Sequence, residues 1–200
     1  SRKYRRYRRR FGIRRPHNGG AICRMRFSHT QIFKPAVGAL RFYVKINLPD
    51  IEEASHFLST FNFYRQYLWK CNVIPKFSGN LVNQEFGTYV IVPFREDISW
   101  DKVETIAGDE WLTKPHAKSV RPNQVGRLLI RPAVIVNATM VPSGILSRVL
   151  YSPWLLCGSH ISVNTPHVGL TCVFPSDCLE LKTEYLIVTR VYVHFKSYSV

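Results

Sequence analysis

The sequence predicts an all-β protein: one antiparallel sandwich of around eight strands, preceded by a basic N-terminal arm. Three observations carry this. From Arg41 onwards apolar residues recur mostly with a period of two, in runs bounded by Gly, Pro, Ser and Asn. Helical patterning is confined to two short stretches, near residues 51–58 and 100–106, so the helices that a parallel α/β sheet needs between its strands are missing. The charge is lopsided: residues 1–49 hold fourteen of the 28 Lys and Arg and none of the thirteen acids, whereas residues 50–200 hold fourteen bases against thirteen acids.

Residues 1–37 alternate charges with scattered apolar side chains and contain Gly19-Gly20, Pro16 and Pro35, which predicts an extended arm without a core of its own. The domain proper is expected over residues 38–200. In "RFYVKINL" Phe42, Val44, Ile46 and Leu48 face one way and Arg41, Tyr43, Lys45 and Asn47 the other, a half-buried strand. "PDIEEASHFL" follows, with Asp50 placed as N-cap, Glu53 completing a capping box, and Ile51, Ala54 and Leu58 on one helical face. From Tyr64 the period returns to two, setting Tyr67, Trp69, Cys71 and Val73 on one face against Gln66, Lys70 and Asn72 on the other, until Pro75. Runs at 87–94, 126–136, 152–158 and 168–174 are further strands. The last begins at "TEYLIVTRVYVHFKSY", where Ile187, Thr189, Val191, Val193 and Phe195 alternate with Val188, Arg190, Tyr192, His194 and Lys196. The connections 76–86, 109–125 and 159–167 exceed what hairpins need and suit contacts between subunits.

At 200 residues with 46% apolar content the chain can bury a sizeable core without disulfides. Its five cysteines, Cys23, Cys71, Cys157, Cys172 and Cys178, lack zinc spacings and predict free thiols used for packing. No apolar run reaches the roughly 18 residues of a membrane span, which predicts a soluble chain without membrane insertion. Glu96, Asp97, Asp101 and Glu104 cluster in "REDISWDKVE", but a loop and a helix start collect carboxylates for solubility and dipole reasons as well. His17, His29, His56, His116, His160, His167 and His194 show neither H-x-H nor H-E-x-x-H spacing, and nucleophile elbows and phosphate loops are missing. Neither an enzyme nor a cofactor is expected.

The arm carries the functional signal. Arg2, Lys3, Arg5, Arg6, Arg8, Arg9, Arg10, Arg14 and Arg15 place nine positive charges in fifteen residues, with Tyr4, Tyr7 and Phe11 interleaved. Guanidinium forks pair bidentately with phosphate, and aromatic rings can stack on unpaired bases. Nine contacts to a single strand give log K a slope of roughly −6 against log salt. The run also suits nuclear import, and it lacks the apolar face that membrane insertion requires. Two classes of function fit: a structural protein that packages nucleic acid, or a cellular, ribosomal-type β-domain with a basic tail.

Four stretches sharpen the choice. "FNFYRQYLWKCNVIPKFS" resembles the tyrosine-arginine strand of circovirus and cyclovirus capsid proteins, "TPHVGLTCVF" their H-V-G-L-G segment, and "TEYLIVTRVYVHFKSY" their C-terminal strand. "RLLIRPAVI" occupies the place of their central proline-bearing strand. The resemblance covers essentially the whole chain. It implies a single eight-stranded jelly roll, sixty copies assembling into a T=1 icosahedral shell around circular single-stranded DNA, and an arm lying inside. It further implies a virion protein that passes through the host nucleus, with nuclear-import and cell-surface receptors as partners.

Overall fold

The computed structural model describes residues 22–37, 40–76, 88–93, 110–140, 144–158, 165–175 and 184–197. In chain order the elements are β1 (Ile22–Phe33), β2 (Arg41–Ile46), a 3-10 turn (Leu48–Asp50), α1 (Glu52–Thr60), β3 (Phe63–Lys76), β4 (Tyr89–Pro93), α2 (Glu110–Thr113), β5 (Lys118–Val120), β6 (Gly126–Ile130), β7 (Ala133–Met140), β8 (Gly144–Tyr151), β9 (Leu155–Leu156), β10 (His167–Val173) and β11 (Glu184–Lys196). They form two antiparallel sheets. The first runs β1-β11-β3-β6, with β9 beside β3. In the second, β10 has β2 along one edge and β4 followed by β7 along the other, with β5 outside β4 and β8 outside β7.

The inward faces of both sheets interdigitate in one core. β11 shows why: Ile187, Thr189, Val191, Val193 and Phe195 all have 0% exposure, the alternation expected of a strand paired on both edges. Val44, Ile46 and Leu48 are buried as predicted, and Phe42 packs at the margin. α1 closes one end, where Phe57 stacks on Phe195 at 5.4 Å and meets Phe27 edge-on at 5.7 Å. At the other end Phe174 lies 4.3 Å from Tyr185 and 5.0 Å from Phe33. Such aromatic pairs stabilise beyond the area they bury.

Several expectations are corrected. Residues 22–33, assigned to the arm by composition, are β1, paired with β11 through all twelve positions and sending Phe27 into the core. Moving the boundary to Ile22 leaves nine bases and no acid in residues 1–21, and nineteen bases against thirteen acids in residues 22–200, so the remainder is clearly basic rather than balanced. Asp50 does not cap α1. It ends the 3-10 turn, and Ile51 stands at the N-cap with extended backbone and no side-chain cap bond. The run 126–136 is split by Arg131-Pro132 into β6 and β7, because proline cannot donate in a ladder. Only Leu155–Leu156 of the run 152–158 is strand. Eleven strands are present among the described residues, against around eight expected: β1, β5 and β8 were not anticipated, and the single run 126–136 forms two strands. The helix expected near 100–106 lies outside the described residues.

The most consequential correction sits in β3. Trp69, Cys71 and Val73 face inwards as predicted, but N-terminal to them it is Tyr64 and Gln66 that are buried, not Tyr67. The ladder explains it: Leu68 pairs with Tyr192 and Gln66 with Val193, so Tyr67 is an extra residue, a β-bulge. The bulge turns Gln66 inwards, where its side chain is fully buried. Trp69 Nε1 donates to Gln66 Oε1 at 2.9 Å, which fixes the amide so that Gln66 Nε2 donates to His167 Nδ1 at 3.1 Å. Burial holds the His167 imidazole far below its ordinary value, at about 3, against a small opposing contribution from the Thr165 backbone. Gly169, two residues on, is required by close approach: a Cβ there would lie 2.5 Å from Trp69 Cε3 and 2.6 Å from Ile130 Cδ1.

Candidate nucleic-acid interface

Every arm residue singled out above, Arg2 to Arg15 with Tyr4, Tyr7 and Phe11, lies outside the described residues, as do the four carboxylates of "REDISWDKVE". The described residues hold another concentration of the same chemistry. β1, β3, β6 and β11 together contain eight bases, Arg24, Arg26, Arg65, Lys70, Lys76, Arg127, Arg190 and Lys196, and one acid, Glu184. Because strand alternation sends the apolar set inwards, the bases share the outward face.

Registration lays them out in rows across the sheet. Arg24 of β1 stands beside His194 of β11, which stands beside Arg65 of β3. Arg26 flanks Tyr192. Ser28, Arg190, Lys70 and Leu129 form a further row, and Thr30, Val188, Asn72 and Arg127 the next. Among the described residues, none of Arg24, Arg26, Arg65, Lys70, Arg127, Arg190 or Lys196 has a carboxylate partner. The ion pair at the margin joins Lys34 to Glu184 at 3.7 Å, between well-exposed side chains that screening leaves worth little.

Aromatic rings are interleaved with these charges. The same bulge that buries Gln66 turns Tyr67 outwards, where it stacks on His194 with ring centroids 4.0 Å apart. Arg65 and Lys196 both lie over the Trp154 ring, at 5.0 and 4.5 Å, and Lys196 lies 5.0 Å from the Phe63 ring. Arg65 Nη2 donates to His194 Nδ1 at 3.4 Å, which specifies a neutral imidazole with its proton on Nε2. Partial burial, then the charges of Arg65 and Arg24, hold His194 below its ordinary value. A phosphate chain laid here would meet guanidinium and ammonium donors flanked by π-faces, the combination that binds single strands without regard to sequence.

Sequence reasoning missed this face. It counted charge along the chain, whereas the sheet sums it across four strands far apart in sequence. Local signals existed in "RMRF" and "RVYVHFK", whose bases sit at the outward parity of strand-like alternation.

The thiols of Cys23, Cys71, Cys157 and Cys172 are unpaired, and Cys178 lies outside the described residues. Burial pushes Cys71 up to about 12 and Cys157 up to about 11, and raises Cys172 too, so these are unreactive packing groups. Among the described residues no cluster of His, Cys, Asp and Glu could hold a metal ion, and no helix is long and apolar enough to cross a membrane.

Comparison with known proteins bears on the whole chain. The crystal structure of the 60-mer BFDV capsid protein superposes with a TM-score of 0.69 at 21% identity, covering 92% of this chain and 98% of that one. The decameric BFDV capsid protein gives 0.62 at 21% identity, covering 88% and 100%. The mud crab tombus-like virus structure, at 9% identity, gives 0.50 over 90% of this chain and 83% of that one. The shared fold is the viral jelly roll. No curated protein matches. A model of the Circovirus capsid protein family matches residues 1–199, so the chain belongs to that family and is a structural capsid protein.

Proposed function

We propose that sixty copies of this chain close into a small T=1 icosahedral shell and package circular single-stranded DNA through the arginine-rich arm, aided by the basic outward face of the β1-β11-β3-β6 sheet. The observation that carries the reading is the one-signed charge. Nine bases without an acid precede Ile22, and β1 continues directly into a face that adds Arg24, Arg26, Arg65, Lys70, Arg127, Arg190 and Lys196. Sixty arms at nine charges each supply roughly 540 positive charges, neutralisation that is blind to sequence and suited to an enclosed genome. The 60-mer formed by the BFDV capsid protein supports the copy number. In this reading residues 1–21 form the interior arm, Arg2, Lys3, Arg5, Arg6, Arg8, Arg9, Arg10, Arg14 and Arg15 neutralise phosphates, and Tyr4 and Tyr7 stack on bases. The same run directs import into the host nucleus, where assembly takes place before release as virions.

The test replaces the nine bases of residues 2–15 by Ser and Gln in the full chain. Most retention on single-stranded DNA at low salt should disappear while the far-UV spectrum stays that of a β protein; unchanged retention overturns the role of the arm. Electron microscopy of the purified chain should show uniform shells, and persistent monomers under conditions that assemble other members would overturn the assembly.

A further inference from the structure

At the β6 end of the basic face a cavity of about 350 Å³ opens, lined by Lys70, Lys118, Arg127, Leu128 and Leu129. Lys70 comes from β3, Arg127 and the two leucines from β6, and Lys118 from β5 of the opposite sheet. The cavity therefore lies at the seam where the outermost strand of one sheet meets that of the other. Lys118 Nζ donates to the Arg127 carbonyl at 3.4 Å, which holds the ammonium at the rim with two further donors to offer. Leu128 is buried beneath, and Leu129 leaves 65% of its surface exposed beside Lys70. None of the three cations has a carboxylate partner among the described residues.

Three cationic residues line this one small concavity, and an anion seated in it relieves the repulsion of like charges. The volume is at the lower end of ordinary ligand sites, which start near roughly 300 Å³, and suits about one nucleotide. The exposed Leu129 side chain offers apolar surface of the kind a sugar edge or base covers. We propose that this cavity seats a phosphodiester group of a single nucleic-acid strand, with Lys70, Lys118 and Arg127 on the phosphate oxygens and Leu129 under the adjoining sugar and base. The proposal rests on the reading of the outward face given above, and it adds a hold on the strand that is independent of the arm.

The test is lysine acetylation of the full chain with and without oligothymidylate, read residue by residue by mass spectrometry. Lys70 and Lys118 should be modified several-fold more slowly in the presence of the strand, whereas Lys45, on β2 of the other sheet, should not change. Lys3 reports on the arm in the same digest. Protection of Lys3 with unchanged Lys70 and Lys118 overturns the cavity while the arm stands; protection of Lys70 and Lys118 without Lys3 supports the cavity and removes the arm. Protection of the two lysines by a sulfated polysaccharide but not by oligothymidylate also overturns it. Lys118→Ala with Arg127→Ala, both at exposed positions, should make the slope of log K against log salt shallower by about 0.7, the share of one phosphate no longer neutralised. An unchanged slope refutes the assignment.

Discussion

Acid should loosen this fold through one buried ring. His167 is fully enclosed, neutral, and bonded at Nδ1 to Gln66, and burial holds it at about 3 against an ordinary 6.5. The unfolded chain therefore binds the proton more readily, and stability contributed above pH 6.5 is lost as the pH falls from 6.5 towards 3. The slope is about 1.4 kcal/mol for each pH unit once the unfolded histidine is protonated, so about 2 kcal/mol is gone at about pH 5. That is a large part of the ~5–15 kcal/mol that holds a typical domain. His29 and His194 are also held below their ordinary value and add to the same trend, so the comparison needs a variant. His167→Gln keeps an oxygen able to accept from Gln66 Nε2 and removes the titration. Urea midpoints of unassembled protein, followed from neutral pH down to mild acid, should fall more steeply for the parent than for His167→Gln. Parallel curves would refute the assignment of a buried neutral imidazole.

Other outcomes follow from the same geometry. Gly169→Ala drives a methyl into Trp69 and Ile130 and should cost about 1–3 kcal/mol by denaturant unfolding; a cost below about 0.5 kcal/mol would mean that the sheets separate freely there. Phe195→Ala removes the ring against which Phe27, Phe57 and Phe61 pack and should cost about 3–5 kcal/mol, with α1 the first element to lose protection from hydrogen exchange. Replacing Arg24, Arg26 and Arg190 by Gln should leave the unfolding midpoint unchanged or higher, because like charges are separated, while the salt slope of single-strand binding drops by about 0.7 for each arginine that had met a phosphate. His194 is held neutral by partial burial and by Arg65 and Arg24, so a bound polyanion should draw a proton onto it; affinity should rise as the solution is acidified from neutrality, and His194→Asn should flatten that rise.

What could be read from the sequence depended on whether neighbours along the chain decide the outcome. β11 was legible because it is paired on both edges and runs straight, so its local alternation is its burial pattern. β1 was not, because its inward set mixes His29 and Gln31 with Phe27 and Phe33; its membership of the sheet comes from its partner and not from its own composition. The bulge was hidden for a similar reason: an extra residue is defined only by the strand opposite, and fourteen residues of β3 face thirteen of β11. The arm residues were the plainest signal in the chain and lie outside the described residues, whereas the basic face was invisible to any count along the sequence, since Arg24, Arg65, Arg127 and Arg190 meet only through pairing.

Tyr67 has a consequence for how this chain can change. Strand faces are assigned by parity, and one extra residue reverses the assignment for everything on its N-terminal side. Here the reversal places Gln66 against His167 and Tyr67 against His194 in a single stroke, joining an interior hydrogen bond to an exterior stacking contact. Smoothing the bulge without removing a residue would slip the N-terminal half of β3 by one position, expose Gln66 and drive Tyr67 at the core, so that acid response and surface chemistry are inherited together, through one register.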